Sequence, residues 1–190
     1  MAQAREAWAA AAPGLRTEDL VFVDESGVAT NMARLYGRAK GGRRARGTVP
    51  AGRWERLTLV GGLSLAGLVA CMTVEGAADT DVLVAFTREV LVPALRPGQV
   101  VVLDNLSAHK APAVRRLVER AGCTLLFLPP YSPDLNPIEA AWSKLKTLLR
   151  SVAARTTEAL DAALTTLVDA ITADDARGYF RHCGYGGAPR

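Results

Sequence analysis

Short apolar runs separated by stretches of helical spacing constrain the fold of this 190-residue chain more than any other feature. The runs occupy residues 20–23, 100–103 and 124–128, and apolar residues recur at helical spacing between and after the last two. Strands of this kind are typical of a sheet whose parallel part is covered by helices on both faces. The sequence therefore predicts an α/β fold.

An antiparallel part of the same sheet is predicted early in the chain. Residues 56–65 and 68–74 have the character of two strands joined by a tight turn at Ala66 and Gly67. We therefore expect a mixed central sheet within one domain over residues 20–175, preceded by a helix and linker over 1–19. The glycine-rich residues 176–190 are predicted to form a flexible tail.

Composition excludes several classes of protein. Hydrophobic residues make up 49% and charged residues 22%, which is inconsistent with a disordered chain. No apolar run reaches the ~18 residues that a membrane span needs. The three cysteines lie far apart and fit neither a disulfide framework nor a zinc site, so a cytoplasmic protein is expected.

Positive charge is concentrated in residues 31–56, which carry eight basic side chains and the single acid Glu55. Such a concentration favours a polyanionic partner, although a solvated loop in an arginine-rich chain is the alternative. Trp54 lies in this segment and is expected to pack in the core or to stack on a base.

Three acids occupy positions where a sheet of this kind holds its site. Asp24 and Asp104 end apolar runs, so they lie side by side if those strands are neighbours, and Glu139 opens a later helix. Close carboxylates repel one another unless a cation neutralises them, and Mg²⁺ prefers such oxygen ligands. Without a cation, replacement of Asp104 by Asn is predicted to be neutral or mildly stabilising.

Each of these acids also has a structural interpretation. Aspartate at the end of a strand is common in turns. Asn136, Pro137 and Glu139 have the spacing of a helix capping box, which would give Glu139 a capping role instead. His109 is either an ordinary residue at a helix start or a supporting contact beside the acids.

The stretch PPYSPDLNPIEAAWSKLK resembles the third catalytic motif of Tc1/mariner-type DDE transposases, and specifically of the bacterial IS630 group. VVLDNLSAHK is similar to the second motif of that family, and LVFVDESG to the first. Asp104 and Glu139 are separated by 34 residues, similar to the DD34E arrangement of the group.

This resemblance implies a ribonuclease H-like fold in which Asp24, Asp104 and Glu139 are catalytic and bind two Mg²⁺ ions, with Mn²⁺ able to substitute. It implies cleavage of transposon ends and strand transfer into double-stranded DNA, usually at a TA dinucleotide, by a homodimer in a bacterial, nucleoid-associated setting. The helix-turn-helix half of the family has no counterpart in the 19 residues before the first strand, so the chain resembles the catalytic half alone, and a separate helix-turn-helix chain is one candidate partner. The alternatives are a stand-alone ribonuclease H-like nuclease and an inactive DNA-binding remnant. The candidate DNA-contacting residues are Arg34, Arg38, Lys40, Arg43, Arg44, Arg46, Arg53, His109 and Lys144.

Overall fold

The computed structural model describes residues 2–186, except for the side chains of Ser107 and Ala108. Its centre is a five-stranded sheet of order β3-β2-β1-β4-β5. The strands are β1 Leu20–Ala29, β2 Arg56–Ser64, β3 Gly67–Glu75, β4 Val100–Leu103 and β5 Thr124–Phe127. The first three strands pair antiparallel, whereas β4 pairs parallel to both β1 and β5. The predicted mixed sheet is confirmed.

Helices cover both faces of the sheet. They are α1 Ala2–Ala11, α2 Thr80–Phe86, α3 Val92–Ala94, α4 Pro112–Arg120, α5 Ile138–Val152, α6 Thr157–Leu167 and α7 Ala173–His182. A π-helical segment, Thr87–Leu91, joins α2 to α3. None of the helices in residues 2–186 is long and apolar enough to cross a membrane.

Alternation along β1 divides the core into two clusters. Leu20 and Phe22 pack with α5, α6 and α7 on one face. Val21 and Val23 pack with α2 and α4 on the other face. Because successive side chains of a strand point to opposite faces, Asp24 follows Phe22 toward α5, and Glu25 follows Val23 toward α2 and α4.

Three local predictions are wrong. β1 does not end at Asp24 but runs on to Ala29, because Asp24 to Ala29 pair with β2. The sequence also predicts a short strand around residues 34–38, but these residues form none. It predicts a single last helix over roughly 157–172, where the structure has α6 followed by a 3₁₀ turn, Val168–Ala170.

The predicted flexible tail is wrong for residues 176–186. Most of α7 lies within it, and a capping box formed by Thr172 and Asp175 starts this helix. Phe180 and Tyr185 are buried, and their rings pack against the ring of Phe22 in β1. Burial of these aromatic rings fixes the segment to the sheet. Residues 187–190 of the predicted tail lie outside the described residues.

Candidate catalytic centre

The register between β1 and β4 brings two of the predicted acids together. Their parallel pairing ends with Val23 opposite Leu103. Asp24 and Asp104 are therefore the next residues on two neighbouring strands. The expectation that these strands are neighbours is confirmed, and the aspartates lie at the same edge of the parallel part of the sheet.

A cavity of about 270 Å³ at this edge is lined by all three predicted acids, Asp24, Asp104 and Glu139. Its remaining wall is the segment 128–136 between β5 and α5, together with Asn105 and Leu106. Asp24 is only 8% exposed at its floor, whereas Glu139 is exposed in the first turn of α5. The three acids therefore share one concave, solvent-accessible site.

The surroundings of Asp24 disfavour its ionised form. Burial, followed by the negative charge of Glu139, raises the pKa of Asp24 to about 7, and Glu25 and Asp104 add smaller repulsions. The backbone N–H of Glu25 donates to Asp24 Oδ1 at 2.9 Å and opposes this rise only in part. The site thus carries more negative charge than its own hydrogen bonds compensate.

Asn136 does not cap α5, so the predicted capping box is wrong. Pro137 occupies the N-cap position without a side-chain bond, while Asn136 Nδ2 donates to Asp24 Oδ2 at 3.2 Å. Asn136 is buried, and its Oδ1 has no partner among the described residues. The amide is therefore used to hold the carboxylate of Asp24, and Glu139 is released from a capping role.

His109 is a buried cross-link between two acids. It is 1% exposed, its Nδ1 pairs with Asp104 Oδ1, and its Nε2 lies 3.1 Å from the Glu25 carboxylate. Burial lowers the pKa of His109, but the hydrogen bonds to Asp104 and Glu25 outweigh it and raise the pKa to about 10. The imidazole is therefore positively charged at neutral pH.

His109 has the opposite effect on its partner. Burial raises the pKa of Asp104, but the hydrogen bonds from His109 and from the backbone N–H of Leu106 outweigh it and lower the pKa below the usual value of 3.8. Both contacts engage Oδ1 of Asp104. Oδ2 receives no hydrogen bond from the residues that the structure describes.

The side chains that line the cavity are of the types that bind divalent cations, but they are spread too widely in this conformation to coordinate one ion together. Within residues 2–186, no three His, Cys, Asp or Glu side chains are gathered tightly enough to hold a metal ion in this conformation. The available ligand atoms are nevertheless carboxylate oxygens, which hard divalent cations prefer. The raised pKa of Asp24 and the unpartnered Oδ1 of Asn136 are both features that a cation at this site would relieve.

The predicted DNA-contacting residues fall into two groups. Those in the basic segment 31–56 are exposed and remain predictions, and Trp54 is 48% exposed, so its expected packing in the core is wrong. His109 is buried, so it cannot touch DNA directly. Lys144 donates to Asp175 of α7 at 2.6 Å, which makes it a contact between helices.

Sequence reasoning missed the roles of Glu25 and Asn136. Side chains alternate along β1, so Glu25 points to the face opposite Asp24, toward His109. The sequence predicts a strand that ends at Asp24 and so does not place Glu25 on that face. Asn136 carried a stronger local signal for capping than for a bond to a residue 112 positions earlier.

The chain has the ribonuclease H-like fold that its sequence resemblance implies, as the likeness of its mixed sheet and helices to the solved Mos1 catalytic domain shows. Residues 19–161 match the family described as DDE superfamily endonuclease, and the chain belongs to that family. No protein of curated function matches the sequence significantly. The IS630 assignment within the family stays a prediction.

Solved structures of Mos1 mariner transposase have the same fold. The Mos1 catalytic domain is 14% identical with a TM-score of 0.64, over 96% of this chain and 85% of that one. The Mos1 paired-end complex with Mg is 17% identical with a TM-score of 0.71, over 96% of this chain and 58% of that one. The Mos1 strand transfer complex is 20% identical with a TM-score of 0.65, over 88% of this chain and 52% of that one. The chain therefore spans about half of the transposase in that last structure.

Proposed function

We propose that this chain is the catalytic domain of a DDE transposase that cleaves DNA at transposon ends and joins the freed ends to target DNA. The observation that carries the proposal is the shared cavity of Asp24, Asp104 and Glu139 at the edge of the parallel strands. The reaction class is displacement at phosphorus, by water during cleavage and by a DNA 3′-hydroxyl during joining.

Asp24, Asp104 and Glu139 would together hold Mg²⁺, in two sites, with Mn²⁺ as a substitute. Divalent ions held in this way lower the pKa of an attacking oxygen and stabilise the leaving oxygen in phosphoryl displacement. The Mos1 paired-end complexes with Mn and with Mg support this choice of ions.

The other residues of the site prepare the carboxylates. The Glu25 backbone N–H and the Asn136 amide fix the two oxygens of Asp24. His109 pairs with Oδ1 of Asp104 and lowers the pKa of that carboxyl, so Asp104 stays ionised and its Oδ2 is left as the oxygen without a hydrogen bond from the described residues. Glu139 is exposed in the first turn of α5 and supplies the third carboxylate of the cavity.

The partner would be double-stranded DNA, bound by a homodimer. The Mos1 structures described as paired-end complexes, one of them with a left transposon end, support DNA as the partner. The exposed basic segment 31–56 would contact phosphates, because Lys and Arg gain affinity by releasing counterions from DNA. A TA target and a bacterial nucleoid setting belong to the same proposal through the likeness to the IS630 group.

The test is nicking and joining of labelled DNA with Mg²⁺ or Mn²⁺. We expect Asp24→Asn, Asp104→Asn and Glu139→Gln each to abolish both steps, and Asp161→Asn, an acid of α6 outside the cavity, to leave them intact. Metal-dependent nicking by the three variants would contradict the proposal.

Two further readouts separate the alternatives. Nicking without joining would identify a stand-alone nuclease. A DNA-binding remnant would bind DNA, yet Mg²⁺ would not raise its midpoint of thermal unfolding, whereas a ligand that binds only the folded state must raise it.

A further inference from the structure

A second cavity, of about 300 Å³, opens beside the end of β1 on the side of α5. Its floor is formed by residues 27–29 of β1 and by Met32. Its walls carry three basic side chains, Arg56 at the start of β2 and Lys146 and Arg150 of α5. We name this feature the α5 basic groove.

The charge of the α5 basic groove is not compensated. No acid lines it, and none of its three basic side chains forms a salt bridge with a described residue. Lys146 and Arg150 are nevertheless half-buried, unlike cations that lie fully in solvent. A concave surface with cations of one sign concentrates anions at its mouth.

Three other cations of the chain are held by partners of their own. Lys144, two residues before Lys146, is paired with Asp175, and Arg115 of α4 is paired with Glu119. Arg155, just beyond α5, donates to the carbonyl oxygens of Thr30 and Met32 and so holds the chain that follows β1 against the groove. The groove is therefore a rigid feature built between packed elements.

The α5 basic groove is in line with the acids. Lys146 and Arg150 follow Glu139 by seven and eleven residues, so all three lie on one face of α5. Along the helix axis, Lys146 is about 10 Å and Arg150 about 16 Å from Glu139. Along β1, the five residues from Asp24 to Ala29 cover about 16 Å in the same direction. Helix and strand thus both lead from the catalytic cavity to the groove.

We propose that the α5 basic groove binds backbone phosphates of the DNA about three to five base pairs from the phosphate held by the acids. The distance follows from the spacing along α5 and a rise of about 3.4 Å per nucleotide of duplex. This inference rests on the proposed function and adds a phosphate-binding site outside the segment 31–56. Because phosphate contacts carry no base information, the site fixes the position of the duplex whatever its sequence.

The test compares Lys146→Gln/Arg150→Gln with the wild type on labelled DNA duplexes that extend to different lengths from the cleavage position. Gln keeps helix propensity while it removes two charges. The control is Arg116→Gln/Arg120→Gln on α4, which removes the same charge from the opposite face of the sheet.

We expect the α5 variant to lower the slope of log affinity against log salt by about 1.8, since each phosphate contact contributes about 0.9. Between 50 and 200 mM salt, the variant should then lose about tenfold less affinity than the wild type. The wild type should gain affinity when the duplex reaches about five base pairs, and the variant should not. The α4 control should follow the wild type in both respects.

Failure of this inference differs from failure of the proposed function. If the α5 variant and the wild type share salt slope and length dependence while both cleave DNA with metal, the groove is not a phosphate site and the proposed function stands. An equal loss in the α4 control would also overturn the inference, because it would indicate an effect of net charge. If the wild type neither binds nor cleaves DNA, both proposals fail.

Discussion

Asp24 and Asp104 are chemically identical neighbours whose proton affinities are shifted in opposite directions. The pKa of Asp24 is raised by burial and by Glu139, and the pKa of Asp104 is lowered because the bonds from His109 and Leu106 outweigh its burial. The difference arises because His109 lies against Asp104, whereas Asp24 faces Glu139 and has no cationic partner in the described residues.

Metal-free stability is predicted to depend on pH through Asp24. Its folded pKa of about 7 exceeds the ordinary 3.8, so the folded state holds the proton more tightly than the unfolded state does. The contribution of Asp24 to the free energy of unfolding therefore falls as pH rises from about 4 to about 7, by about 4 kcal/mol in all.

Chemical unfolding of Asp24→Asn in EDTA measures this effect. The stability difference between variant and wild type should grow in favour of the variant across that pH range and stay constant above it. Asp161→Asn, outside the cavity, should give a curve parallel to the wild type. A variant whose difference from the wild type does not change with pH would show that Asp24 titrates normally.

The structure reverses the sequence-based expectation for Asp104→Asn. This substitution leaves the buried His109 without one of its two carboxylate partners, so we expect a loss of about 1–3 kcal/mol in the metal-free protein. Because the pKa of Asp104 is lowered, Asp104 contributes its full stabilisation above pH 3.8, its ordinary pKa. Because the pKa of His109 is raised, His109 contributes its full stabilisation below pH 6.5, and this stabilisation is lost as the pH approaches about 10. The stability lost in Asp104→Asn should therefore be largest between about pH 3.8 and pH 6.5.

Urea denaturation at several pH values tests the prediction. Glu119→Gln is the matched control, because it breaks an exposed ion pair with Arg115 and should cost about 0.5 kcal/mol or less. An equal, small loss for both variants would mean that the buried pair contributes no more than a surface one.

At the scale of elements, the two ends of the chain hold the loop that precedes α5. Arg5 of α1 pairs with Asp134 at 2.6 Å and donates to Ser132 Oγ at 2.8 Å. Tyr185 donates its hydroxyl proton to the carbonyl of Leu135 at 2.8 Å and accepts from Trp8 Nε1 at 3.2 Å. These contacts fix the loop that carries Asn136 and, one turn later, Glu139.

Tyr185→Phe is predicted to weaken this attachment. Tyr185 is 4% exposed, and its loss of the hydroxyl leaves the Leu135 carbonyl and the Trp8 N–H without a protein partner, at a cost of about 1–2 kcal/mol. Tyr36→Phe, at a tyrosine that is 91% exposed, should change the unfolding free energy by less than about 0.5 kcal/mol. Denaturant unfolding of both variants provides the comparison, and equal stabilities would contradict the prediction.

Elements that depend on neighbouring residues could be predicted from the sequence, whereas contacts between residues far apart in the chain could not. The apolar runs of β1, β4 and β5 and the turn at Gly67 are local patterns, and they predicted the sheet and the meeting of Asp24 with Asp104. The role of Asn136 could not be predicted locally, because a buried carboxylate 112 residues earlier takes the amide that would otherwise cap α5. For His109, a supporting contact beside the acids was one of the two sequence-based interpretations, but its contact with Glu25, 84 residues earlier, could not be predicted locally.

At the scale of the whole molecule, the family and its three acids could be predicted because their motifs are short and contiguous. The packing of residues 176–186 could not, because glycines at 178, 184 and 186 suggest a loose chain while Phe180 and Tyr185 supply the burial. The sequence also did not predict which basic side chains lack an acidic partner. Lys144 and Lys146 have similar sequence surroundings, but in the fold Lys144 pairs with Asp175 whereas Lys146 lines the α5 basic groove.

The long basic segment leaves and rejoins the sheet at the same rung, since Ala29 of β1 is the register partner of Arg56 of β2. Its two ends are therefore fixed by strand pairing, independently of what lies between them. The entropy of closing such a loop grows only with the logarithm of its length, so insertions and deletions there cost little stability. The alignment of Asp24 with Asp104 is untouched by such changes. Related chains can therefore differ in the length and composition of this segment while the cavity that Asp24 and Asp104 line keeps its shape.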